Sequence, residues 1–247
     1  MGILQALKIK PYSTIVEDEN IQSNVLNKLE NRDYSFVENS LSSASDIQRY
    51  KFIWHASSLD NSVNVADAWI QENKKSIYAK ILLGASMIQD AWKIRGGKYA
   101  EHVKNEAWEP FFEKLESALE PLKNAASMNE KSPDPFPWLI TAGMGLDMSK
   151  AEVKSFFLDA MSRNHLHFPS HSCFFLTLTE RWGGSQTEVF NFARERVRLA
   201  PQGSLLHILI AMAFSEYVTA LNIEEDFSGV DSALKNKDCQ NEIIGAF

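Results

Sequence analysis

The chain has 247 residues, of which 45% are hydrophobic and 23% charged, and its formal net charge is -7. That balance excludes a disordered chain and is long enough for a sizeable core. The negative charge argues against nucleic acid or an anionic membrane as a partner and favours a basic one.

Residues 1–20 are mixed: Pro11 breaks any helix and Glu17, Asp18 and Glu19 are acidic, so an irregular N-terminal arm is expected. From Ile21 the apolar spacing becomes helical, with Val25, Leu26 and Leu29 on one face and Tyr34, Val37 and Leu41 on the next. Asp46 is read as the cap of a third helix through Tyr50, Ile53, Trp54 and Leu59, and Ser62 as the cap of a fourth through Ala66, Trp69 and Ile70.

Ser76 caps a fifth helix in which Tyr78, Ile81, Leu82, Ala85, Ile88 and Trp92 fall three and four apart, and Arg95-Gly96-Gly97 closes it. The sixth is the longest, with Trp108, Phe111, Leu115, Leu119 and Leu122 in one stripe, Pro110 near its start and Pro121 inside it. Pro133, Pro135 and Pro137 force a turn, and a new helix is expected from Trp138.

Further helices are predicted near 138–147, 150–163, 171–181, 186–199 and 203–222, followed by a tail, 223–247, that is acidic and then apolar. No run alternates at period two for long enough to make a strand, so the fold class is all-α.

One corner organises the second half of the chain. Arg181-Trp182-Gly183-Gly184-Ser185 joins two helical runs: the glycines supply positive φ, and Ser185 with Glu188 forms a capping box. The pattern Ser-x-x-Glu-Val with an aromatic three residues on occurs at Ser149 and again at Ser185. Each copy runs on to a proline, Pro169 or Pro201, and then to another apolar helix. A self-similar unit of cap, helix, break and helix points to an antiparallel helix-hairpin array of the tetratricopeptide kind, an α-solenoid, over residues 21–222.

The motif Ala91-Trp92-x-x-Arg95-Gly96-Gly97, then Trp108-x-x-Phe111, then Arg181-Trp182-Gly183-Gly184-Ser185 with Phe192-Ala193-Arg194, resembles the bacterial DUF4034 domain family, itself similar to tetratricopeptide-like arrays. The resemblance spans roughly residues 54–217 and implies a helical-array fold; it implies no activity.

Candidate sites follow from residue type. Trp69, Trp92, Arg95, Trp138, Arg181 and Trp182 would line the inner face of such an array and anchor a partner; their plain alternative is core packing and helix capping. His165, His167 and His171 are three imidazoles in seven residues and could ligate zinc, with Asp159 or Glu180 as base, although Phe168-Pro169 interrupts the spacing. Arg194 and Arg198, one turn apart, are read as part of a solvated face with internal ion pairs, and Cys173 beside Phe174 and Phe175 as core.

Cys173 and Cys239 are too few for a disulfide framework, and residues 1–10 lack the pattern of a signal peptide. No run is seen that matches a membrane helix, so a cytoplasmic location is expected.

The resulting expectation is a non-enzymatic protein-protein interaction module without cofactor, in one form an inhibitor or immunity-type partner of a basic toxin. The alternatives are a metal-dependent hydrolase built on the histidines and a structural subunit that self-associates through its apolar C-terminal helix.

Overall fold

The computed structural model of the chain describes residues 23–96 and 102–246. The expected arm at 1–20, together with Ile21, Gly97 and Phe247, lies outside the described residues. Every regular element among the described residues is helical, so the protein is all-α. Packing divides the chain after Cys173, within the 21–222 stretch expected as one array: the described residues up to Cys173 form one compact unit, and those from Phe174 onward form a second.

The N-terminal unit begins with helix α1, whose described part is residues 23–30. It continues with α2 (Tyr34–Ser43), α3 (Asp46–Ser57), α4 (Ser62–Glu72), α5 (Ile77–Arg95), α6 (Trp108–Met128), α7 (Phe136–Gly145) and α8 (Lys150–Arg163). Helix α9 (Phe168–Thr177) spans the division.

The α5–α6 hairpin is the spine of this unit. Gly84 lets the two helices approach: a Cβ there would stand 2.5 Å from Leu122 Cγ. On the two helices Ile81, Leu82, Ala85, Ile88, Leu115, Ala118 and Leu122 are all buried to within 1%. Pro121 lies inside α6, and Ser76 caps α5 by accepting from the Ala79 amide.

Caps explain where the sequence reading of boundaries shifts. Ser45, not Asp46, caps α3, in a reciprocal box with Gln48. Asn61 precedes α4 and Ser62 is its first residue. Helix α7 starts at Phe136 rather than Trp138, with Pro137 at a position of the first turn where no amide donor is needed. The same tolerance places Pro169 within the first turn of α9, which starts at Phe168 rather than 171.

The C-terminal unit contains α10 (Gln186–Leu199), α11 (Ile208–Ile223), α12 (Phe227–Lys235) and α13 (Lys237–Gly245). A 3-10 turn, Glu180–Trp182, leads into the double-glycine corner. There the two glycines have different roles. Gly183 takes φ 74°, whereas Gly184 is needed for space, since a Cβ would fall 1.9 Å from the Leu178 carbonyl oxygen.

Ser185 accepts from the Glu188 amide, but its own amide donates to Leu178 O at 3.0 Å, so the reciprocal half of the expected capping box is taken by the corner. Ser149, by contrast, forms the full box with Glu152. Helices α8 and α10 are both 14 residues long, matching the repeated motif.

Two features of this unit go beyond the sequence reading. The expected tail contains α12 and α13, and Ile243 is buried. In addition, Leu205–Ile223 is long and apolar enough, by length and composition, to cross a membrane. Its Leu209, Ile210, Ala213 and Phe214 are buried within the fold.

Candidate functional site: a buried ion cluster in the N-terminal unit

Arg49 leaves the first turns of α3 and folds back on them. Its guanidinium donates to the Ala44 carbonyl, pairs with Asp46, and donates through Nε to Asp134 Oδ2 at 2.8 Å. Asp134 sits in the proline-rich turn before α7, where Ser132 Oγ also donates to it at 2.9 Å. The other Asp46 oxygen accepts from Asn164 Nδ2 at 2.8 Å, Asn164 being the C-cap of α8.

His167 closes the cluster. It is fully buried; its Nδ1 lies 2.8 Å from Ser170 Oγ, and its Nε2 faces Asp134 Oδ1 at 3.6 Å, just past hydrogen-bond length. One guanidinium thus ties the start of α3 to the turn before α7, and Asn164 ties α3 to the end of α8.

Electrostatics lock the arrangement. Burial alone would raise the Asp134 carboxyl, but His167 and the Arg49 guanidinium outweigh it and hold the group below the usual carboxylate range. Burial disfavours the Arg49 charge in turn, and the Asp134 and Asp46 carboxylates overcome it. A cavity of about 10 Å³, room for one water, borders Arg49, Asp134, His167, Tyr50 and Tyr78.

The neighbouring phenol and thiol are held in their neutral forms. Burial pushes the Tyr50 phenol well up and raises the Cys173 thiol; the two meet at 3.5 Å. Tyr50 also packs on Trp138 at 5.3 Å, and Trp138 stacks on Trp54 at 6.0 Å. Trp54, read from the sequence as part of a core face, is 46% exposed, because α3 buries Phe52, Ile53, Ala56 and Ser57 instead.

Asp46, Asp134 and His167 offer ligand atoms within 4.8 Å of one another, a spacing a metal ion could bridge. Arg49 already lies across both carboxylates, however. A unit charge about 4 Å from another in partly buried surroundings costs on the order of 4 kcal/mol, and a divalent ion would meet about twice that. The cluster fits an ion-pair lock better than a cation site.

The predicted ligand set is not assembled. His165 is exposed, whereas His167, just ahead of α9, and His171, in its first turn, are buried. His171 Nδ1 bonds the His167 carbonyl at 3.1 Å, and its ring meets Phe157 edge-on at 5.2 Å. Asp159 and Glu180 are both exposed.

The predicted partner anchors divide in the same way. Trp69 is 0% exposed, stacked on Tyr34 at 5.7 Å, and Trp138 is 1% exposed, so neither can touch a partner; both are core. Trp92 and Arg95 are half-buried: the Arg95 guanidinium lies 5.3 Å from the Trp92 ring and 5.5 Å from that of Trp108. Arg181 is exposed and donates through Nη2 to both carboxylate oxygens of Glu216 on α11, and Trp182 is half-buried beside it in sequence. Of the arginine cluster on α10, Arg194 grips Glu242 of α13 and Arg196 pairs with Glu195.

No family model, curated protein or solved structure matches the chain, so the resemblance to the DUF4034 family rests on its motif residues alone.

Proposed function

We propose that the chain is a non-enzymatic protein-protein interaction module of the cytoplasm, with its helix pairs arranged as a tetratricopeptide-like array. Its partner is a basic protein, and an inhibitor or immunity-type role against a basic toxin is one form this takes. The reading extends the DUF4034 resemblance and assigns no cofactor.

The observation that carries it is the set of large apolar side chains left exposed on an acidic chain. They include Trp54 at 46% in the N-terminal unit and Phe227 at 69% in the C-terminal one, and the net charge is -7. Isolated exposed apolar residues are ordinary, but a Trp stacked rigidly on a buried Trp has the form of an anchor. The buried ion cluster supports the same reading, since its charged groups are spent on one another.

The test is affinity purification of the tagged full chain from its source cells, with mass spectrometry and metal analysis of one sample. One stoichiometric basic protein, released by salt, is expected. One zinc per chain and no protein partner would contradict the reading.

A further inference from the structure

The C-terminal unit holds a surface that packing has left unfinished. Helix α12 turns Gly229, Val230 and Ala233 inward, half-buried. Phe227 and Leu234, seven residues apart, lie on one edge about 10 Å from each other and are 69% and 42% exposed. Ile223, at the end of α11 just before them, is 62% exposed, and Ile244 on α13 is 59% exposed. Helix α12 as a whole buries no residue completely.

Acidic side chains rim this edge. Glu224, Glu225 and Asp238 are exposed; Asp226 is also exposed and caps α12 by accepting from the Gly229 amide at 2.9 Å, Asp231 is paired with Lys235 at 2.6 Å, and Lys237 is exposed, so the segment stays net acidic. An apolar strip with two-turn spacing and a carboxylate border is the complement of a helix with apolar residues at i, i+3 or i+4 and i+7, flanked by Lys and Arg. A second copy of this chain would bring a surface of the same net negative charge rather than a complementary one, and an anionic bilayer would repel the carboxylates.

We propose that the α12 edge, with Phe227 and Leu234 as anchors, docks a basic amphipathic helix of the partner protein. This rests on the interaction reading above and narrows it to one surface and one kind of ligand.

The test uses the full chain and a synthetic Leu/Lys amphipathic peptide of about five turns, beside a scrambled peptide of identical composition. The ordered peptide is expected to bind about tenfold tighter or better, and F227S/L234S to reduce it to the scrambled level. F227L should retain binding. E224Q/E225Q should weaken it and flatten its dependence on salt, and thermal melts should show all variants folded, because these side chains are exposed.

Equal affinity for both peptides would overturn the proposal, as would a wild-type dimer in sedimentation that F227S/L234S dissolves, or adsorption to phosphatidylcholine vesicles lost in that variant. If a basic partner recovered from the source cells binds F227S/L234S as well as wild type, this surface is wrong and the interaction reading stands.

Discussion

Arg49 neutralises the Asp134 carboxylate, which would otherwise be stranded in a low-dielectric interior, and pairs with the more exposed Asp46; its own side chain is only 14% exposed. Removing one partner of such a group costs more than the pair contributes, because the other charge stays buried. Arg49→Met is expected to lower unfolding free energy by about 3–5 kcal/mol in urea titrations. Acid dependence follows from Asp134, whose folded carboxyl lies below its unfolded value. Its stabilisation is complete above the ordinary carboxylate pKa of about 3.9 and is lost as pH falls through the lower folded value. Wild type should therefore weaken as pH falls below about 4, and Arg49→Met should lose less over that interval.

Little of this cluster was legible in the sequence. Arg49 and Asp134 are 85 positions apart, and Asp46 and Asn164 are 118 apart, so no local spacing announces either contact. The histidine run did draw attention to His167, for the wrong chemistry: its imidazole faces a carboxylate, not two other imidazoles. Trp69 and Trp138 were visible as large aromatics, but burial is a property of the packed helices and not of the residue.

At the scale of elements, helix termini carry the most specific information. Gly184→Ala would push a methyl group into the Leu178 carbonyl, so a loss of roughly 2–3 kcal/mol or more is expected, with a matching fall in Tm. Gly183→Ala, where only the left-handed φ matters, should cost about 1 kcal/mol. Arg32 sits at φ 60° in the loop that ends α1, where the Asp33 amide bonds Lys28 O and the Arg32 amide bonds Leu29 O. Glycine fits that cap without a Cβ penalty, so Arg32→Gly should stabilise by about 0.5–1 kcal/mol.

These termini are also where the sequence reading succeeded and failed. Ser76, Ser149 and Ser185 were legible as caps because each is followed by apolar residues at helical period. Prolines misled, since Pro137 and Pro169 sit in the first turns of α7 and α9 rather than ahead of them. Helix α12 escaped notice because it has nine residues, too short for a periodic stripe to stand out.

On the scale of the whole molecule, an all-α chain of net charge -7 leaves several large apolar side chains exposed among its described residues. The helical class was legible because no segment alternates at period two. The division after Cys173 was not, because it falls inside a continuous helix, α9, past Pro169 in its first turn and with no glycine or charge run to mark it.

The central claim is that this acidic surface binds a basic protein, and the most direct measurement is the dissociation constant of the recovered complex across a salt series. Long-range attraction between exposed charges fades once the screening length falls to about 3 Å near 1 M salt. The account predicts affinity that drops by tenfold or more between about 0.1 M and 1 M salt, chiefly through slower association. Affinity independent of salt, or a partner as acidic as this chain, would contradict it.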